Sequence, residues 1–283
     1  MKKKRRLFDI LRIMGILIAL SIMLYPTVSN YLYEKNSSRA VNSYDENAAN
    51  LDQEERAGNL QKAREYNARL AGNVQVEGDT FQSKAEISQE YEQLLRIDKS
   101  GMIGYIIIPK IDVELPIYHT TSEAVLQSGI GHFPSSSLPV GGESSHAVLT
   151  GHRGLPSRKL FTDLDQIING DIFYIRIQGE MLAYEVDQIL TVLPEETDAL
   201  QIEAGKDYVT LVTCTPYAVN THRLLVRGHR IPYEEAEKAE PPEIDHGLKI
   251  PFEVLMLLVG FGIVLMFILI WQIIRKVKRR NTK

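Results

Sequence analysis

The sequence predicts a mainly β fold, a closed antiparallel or mixed barrel with short helices, carried by a helical N-terminal extension between membrane helices at both ends. The barrel follows from seven strand-like runs packed between Gly101 and Ile231: MIGYIIIP, VELPIYH, HAVLTGH, DIFYIRI, LAYEVDQILTVL, YVTLVTC and HRLLVRGHRI. They are rich in Val, Ile, Tyr and Thr and are punctuated by Gly, Pro, Asn or Asp. No long amphipathic helix alternates with them, which argues against a parallel βαβ architecture. Seven or eight short strands in so small a span suit a closed sheet, because closure leaves no edge exposed. A short helix is expected around Lys159–Ile168.

The membrane helices follow from two charge-free runs with basic flanks. Val254–Trp271 is apolar throughout and, with 250–252 and 272–274, is long enough to span a bilayer. A buried core helix seldom stays apolar on every face for that length. The run Ile13–Tyr25 is shorter, with Asp9 and Arg12 before it and Pro26 after it. It reads as a signal-peptide core or a short anchor; no small-x-small cleavage site follows, which favours the uncleaved anchor. Five Lys/Arg lie in residues 1–6 and six in 275–283. Basic residues beside apolar spans mark the cytoplasmic side, so both termini are expected inside and 30–249 outside.

Charge also bears on function class. The net charge is −4, and setting aside those eleven terminal positive charges leaves about −15 on everything between. A nucleic-acid binder would carry its basic residues on the folded domain instead. There is one cysteine, Cys214. That excludes an internal disulfide framework and a cysteine-ligated zinc cluster.

The expected organisation is a basic tail and anchor over 1–30, a helical extension over 31–98, a barrel over 99–232, an acidic linker over 233–249, a transmembrane helix over 250–274 and a basic tail over 275–283. Within the extension, Leu60, Ala63, Tyr66, Asn67 and Leu70 recur at helical spacing, as do Ile87, Tyr91, Leu94 and Leu95. Two helices are expected, joined by a loop over about 71–83.

Cys214 ends an apolar strand-like run and precedes Thr215-Pro216. A strand-end residue can face a cleft; the alternative is a small apolar core residue, the commoner state of free cysteine. A cysteine nucleophile needs a proton donor and an oxyanion stabiliser. Seven histidines are available: His119, His132, His146, His152, His222, His229 and His246. His152 also stands where a strand gives way to a loop, before Arg153-Gly154. Arg223 lies nine positions after Cys214, so a hairpin across TPYAVNT returns it beside the thiol. Its guanidinium stays charged and can hold an oxyanion.

The run TLVTCTPYAVNTHRLLVRGHR resembles the signature of sortases, the cysteine transpeptidases of Gram-positive envelopes. HAVLTGHRGLPSRKLFTDLDQIINGD is similar to that family's catalytic-histidine region, GYIIIPKIDVELPIYH to its opening strands, and GIGHFPSSSLPVGG to the loop that follows. The resemblance implies an eight-stranded sortase barrel, with Cys214 as nucleophile, His152 as general acid/base and Arg223 as the residue that holds substrate and stabilises the tetrahedral intermediate. It implies no metal or organic cofactor. The helical extension and C-terminal span look most like class C, the pilin-polymerising sortases. That class carries a lid with an Asp-Pro-aromatic motif; here Asp79-Thr80-Phe81 matches it in acid and ring, with Thr80 in place of proline. The implied partners are pilin or surface-protein precursors bearing LPXTG-like C-terminal signals and the acceptor lysine amine of a pilin. Attachment of surface proteins to peptidoglycan is the neighbouring alternative, and a non-catalytic membrane-tethered scaffold the remote one.

Overall fold

Eight strands close on themselves in the order β1-β2-β3-β4-β7-β8-β6-β5 in the computed structural model, which describes residues 2–71, 76–81, 87–239, Ile244 and scattered positions from 255 to 266. The strands are β1 (Met102–Ile108), β2 (Val113–His119), β3 (Ile130–His132), β4 (Ser145–Thr150), β5 (Ile172–Ile177), β6 (Glu180–Val192), β7 (Asp207–Thr215) and β8 (His222–Ile231). β2–β3 and β4–β7 pair in parallel and the other neighbours antiparallel, so the barrel is mixed. Most of the C-terminal span expected over 250–274, and all of the basic tail after it, lie outside the described residues.

Alternation along each strand builds the core. Ile106 of β1, Leu149 of β4, Ile175 of β5, Leu211 of β7 and Val226 of β8 are all buried in one apolar cluster inside the barrel. The strands that the sequence predicts correspond to all of these except β3. That three-residue element lies in GIGHFPSSSLPVGG, read as a loop, and three residues carry too little periodicity to register. The helix expected around Lys159–Ile168 is reduced to a single 3₁₀ turn, Leu164–Gln166. Its apolar residues Phe161, Leu164 and Ile167 are buried in the barrel core, and the tighter turn serves to seat them.

Five α-helices are described: α1 (Lys2–Asn50), α2 (Gln53–Leu70), α3 (Gln89–Gln93), α4 (Glu123–Leu126) and α5 (Tyr233–Ala239). α1 is long and apolar enough to cross a membrane, and its apolar side chains Leu11, Ile13, Met14, Leu17, Ile18 and Ile22 are exposed. The same helix continues to Asn50, well beyond residue 30. Over its last turns Val41, Tyr44 and Ala48 are buried, and Tyr44 Oη donates to Ile103 O at 2.8 Å while accepting from Gln178 N at 2.9 Å. So thin an apolar stripe in a polar stretch gives little sequence signal.

α2 starts at a capping box, with Asp52 accepting from the Glu55 backbone and Glu55 reaching back to Asp52 N. Its stripe behaves as the spacing predicts: Leu60 and Ala63 join the barrel core, and the Asn67 amide brackets Leu138, donating to its O at 2.8 Å and accepting from its N at 2.7 Å. The second expected helix shrinks to α3, capped by Ser88 and ended by Leu95 at φ 62°. Tyr91, fully buried, ties α3 to β3 through a 2.7 Å hydrogen bond to His132 Nδ1. The start of the stretch read as a linker is instead α5, whose Ala236 is buried and whose Tyr233 packs edge-on to Tyr174.

Candidate active site

Two strand registers bring the candidate residues into one row. β4 and β7 run parallel with Thr150 opposite Val212. The same separation continues past the end of β4: Gly151 N donates to Val212 O at 3.0 Å, Thr213 Oγ1 donates to Gly151 O at 2.7 Å, and Arg153 Nη1 donates to Thr215 Oγ1 at 3.4 Å. His152 therefore stands level with Cys214. On the other side, β7 and β8 are antiparallel with Cys214 opposite Arg223. His152, Cys214 and Arg223 thus occupy neighbouring positions across three adjacent chain segments. Residues opposite one another in a sheet share a face. The hairpin inferred from the nine-residue spacing is the observed one.

Alternation decides which face. Leu211 points into the barrel core, whereas Val212 belongs to an outer apolar cluster with Val76, Phe133, Val148, Leu200 and Leu225. Cys214, two residues on, shares that outer face and is half-buried. The glycine before His152 is required by packing: a Cβ on Gly151 would come within 2.7 Å of both Ile130 Cδ1 and Phe161 Cδ2. After Cys214 the chain turns through a cis Thr215–Pro216 peptide. Arg153 braces this turn, with its guanidinium over the Tyr217 ring at 5.8 Å and paired to Asp165.

The segment expected to form the lid packs against two members of the row, Arg223 and His152. Asp79 forms a fork-to-fork pair with Arg223, whose Nε and Nη2 donate at 2.9 and 2.6 Å. Both side chains are largely buried, at 10% and 16% exposure, which makes the pair strong by the standard of surface ion pairs. Asp79 Oδ1 also accepts from Phe81 N at 3.2 Å, and this local turn aims the ring. Phe81 lies 4.9 Å from the Arg223 guanidinium carbon and 5.6 Å from the His152 ring. Upstream, Val76 is buried in the outer apolar cluster, and the Gln201 amide clamps its backbone, accepting from Val76 N at 3.1 Å and donating to Val76 O at 2.8 Å. Nothing in the sequence marks Gln201 as a partner of the lid, since 125 positions separate the two.

Thr80 occupies the middle of the motif, buried, and its Oγ1 has no hydrogen-bond partner among the described residues. An unpaired buried hydroxyl costs about 1–3 kcal/mol. Thr80→Val keeps the shape and removes that cost, so it is expected to hold the lid more tightly and slow Cys214 alkylation by roughly fivefold or more. Alkylation kinetics at fixed pH check this; a faster rate counts against it.

The electrostatics separate the histidines. Burial pushes His119 down to about 4, His132 to about 3 and His146 to about 4, so all three are neutral near pH 7 and tied into structure. His132 is bonded to Tyr91, and His146 Nε2 to Thr210 Oγ1 at 2.7 Å. His246 lies outside the described residues. His152 is also lowered by partial burial, but Glu123 opposes the shift. For Cys214, burial pushes the thiol up, the Arg223 guanidinium pulls it down, and Asp79 adds to the rise. While Asp79 holds Arg223, the arrangement disfavours the thiolate; releasing the lid would reverse part of that penalty.

A sortase-domain family model matches residues 106–231. Sortase A of Bacillus anthracis is 30% identical over 132 residues, covering 47% of this chain and 61% of that protein. Among solved structures, sortase C1 from Streptococcus agalactiae is 49% identical with a TM-score of 0.63, covering 69% of this chain and 98% of that one. A sortase C from Streptococcus pneumoniae, whose structure is described in terms of catalysis and pilin substrate specificity, is 45% identical with a TM-score of 0.63, covering 69% and 97%.

Proposed function

This chain belongs to the sortase family, and we propose that it is a class C-like cysteine transpeptidase that joins pilin subunits outside the cell. The observation that carries this reading is the row His152, Cys214 and Arg223 beneath a lid whose Asp79 holds the arginine. The likeness at 45–49% identity to sortases C supports the class.

In the proposed reaction the Cys214 thiolate attacks the threonine carbonyl of an LPXTG-like signal, forming a C–S bond. Arg223, freed from Asp79, donates to the oxyanion. Collapse breaks the amide C–N bond, and protonated His152 delivers its proton to the departing amine. The thioester that remains is attacked by a pilin lysine amine, which loses a proton to His152, and Cys214 leaves as the thiolate. Atoms and protons balance without any added redox partner. The lid must move first, because it holds Arg223 and packs Val76 and Phe81 into the apolar cluster on the face that Cys214 shares. In this reading 99–232 is the exported catalytic unit, and α1 and the segment 250–274 anchor it with both termini in the cytoplasm.

The test is direct. Full-length protein in detergent is incubated with an LPXTG-like peptide, and the intact mass is read for a thioester that hydroxylamine releases. Acceptors are then compared, a pilin lysine against a peptidoglycan stem peptide. Absence of any acyl-enzyme overturns the transpeptidase reading; preference for the stem peptide overturns the pilin assignment.

A further inference from the structure

We infer that Glu123 is a positioning residue for His152, the anionic partner that keeps its imidazole basic enough to serve as proton donor; the inference rests on the role proposed for His152 above. Glu123 Oε2 lies 3.6 Å from His152 Nε2. That is too long for a hydrogen bond but within ion-pair range. His152 Nε2 is itself buried and has no hydrogen-bond partner among the described residues. A nitrogen that must carry a proton at one stage of the reaction therefore has one carboxylate oxygen beside it and no bond that would hold it neutral.

The carboxylate is aimed by a chain of contacts. Glu123 opens α4, and Gln127, one turn on, donates from Nε2 to Glu123 Oε1 at 2.7 Å. Arg158 Nη1 donates to Gln127 Oε1 at 2.6 Å, and its guanidinium carbon lies 5.4 Å from the centre of the Tyr33 ring. Tyr33 Oη in turn donates to Ser128 O at 2.9 Å. One oxygen of Glu123 is thus braced from behind while the other faces His152.

The other charged groups around His152 are already matched. Arg153, next in the chain, is paired with Asp165 and stacked on Tyr217. Arg223 and Asp79 are joined to each other, and it is the uncharged Phe81 ring from the lid that touches His152. Cys214 stands level with it as a thiol. Glu123 is left as the carboxylate acting directly on the imidazole. Its side chain is 72% exposed, so the pull is modest and open to screening by salt.

The consequence can be given a sign. The reactive form pairs an imidazolium with a thiolate. When the histidine titrates below the cysteine, the population of that form scales inversely with the histidine's acid dissociation constant, so lowering its pKa lowers the plateau rate by the same factor and moves the acidic limb to lower pH. For an exposed partner a shift of about 0.3–0.7 pH unit is expected, or a two- to fivefold loss of rate.

The experiment uses the full chain in detergent with ring-¹³C histidine, the His152 signal being identified by its loss in His152→Gln. In Glu123→Gln, which keeps the shape and the bond from Gln127, the His152 midpoint is expected to fall by about 0.5 pH unit at low salt, and the difference from wild type to shrink by more than half at about 1 M salt. The pH–rate profile of peptide cleavage should show the matching fall. A midpoint within about 0.1 unit of wild type, or a shift that salt does not screen, overturns the inference. Because the titration needs no substrate, a wild-type protein that forms no acyl-enzyme refutes the transpeptidase reading separately.

Discussion

Asp79→Ala is expected to raise the rate of Cys214 alkylation by roughly ten- to a hundredfold near neutral pH, through two effects of the same sign. The first is access. The substitution removes both bonds to Arg223 and the local turn that orients Phe81, leaving the lid attached mainly through Val76 and the Gln201 clamp. Losing a charge-assisted pair of this kind costs about 1.5–3 kcal/mol, which by itself corresponds to about ten- to a hundredfold or slightly more. The second is charge. Asp79 contributes to the upward shift of the thiol, so its removal lowers the alkylation midpoint and enlarges the thiolate fraction. Asp79→Asn separates the two, keeping most of the shape while discarding the charge. Alkylation of the alanine variant at the wild-type rate would remove the lid from the mechanism. The expected companion result is faster proteolytic cutting around residues 76–81.

The largest loss of activity is expected at Cys214. Cys214→Ala should form no acyl-enzyme and lower turnover by at least about 10³-fold, since no other group in the row can take over the nucleophile's part. Arg223→Ala should cost about 10²–10³-fold through the missing oxyanion donor. The arginine variant also carries a signature of its own. Arg223 pulls the thiol pKa down, so removing it moves the alkylation midpoint up, opposite to the shift expected for Asp79→Ala, even though both variants unlatch the lid. Single-turnover cleavage of the peptide and alkylation across pH measure these effects. Activity retained in Cys214→Ala would end the proposed scheme, and midpoints moving in the same direction would show that access alone governs the thiol.

Part of this arrangement is legible in sequence because it is local. The apolar run to Cys214, the turn residues TPYAVNT and the nine-residue spacing to Arg223 describe one hairpin, and the observed ladder pairs the two residues as that spacing predicts. The stripe Leu60, Ala63 and Asn67 is legible for the same reason, since helical periodicity is written in neighbouring residues. The losses are equally physical. β3 is too short to show a period, and the apolar residues between Lys159 and Ile168 are buried by a 3₁₀ turn although their spacing suggests a helix.

Sequence by itself determined the chemistry on offer: one thiol, an arginine bound to it by a short hairpin, a strand-end histidine, an acid and a ring in a connecting loop, and apolar ends flanked by positive charge. Tertiary structure decided which of these meet. His152 joins Cys214 through a parallel register that bridges 62 positions, Asp79 reaches Arg223 across 144, and Glu123 is brought to His152 by a short helix that no motif singled out. The reason is that hairpin and helix contacts are set by backbone geometry over a few residues, whereas parallel pairing and lid docking depend on which distant surfaces can bury one another once the barrel has closed.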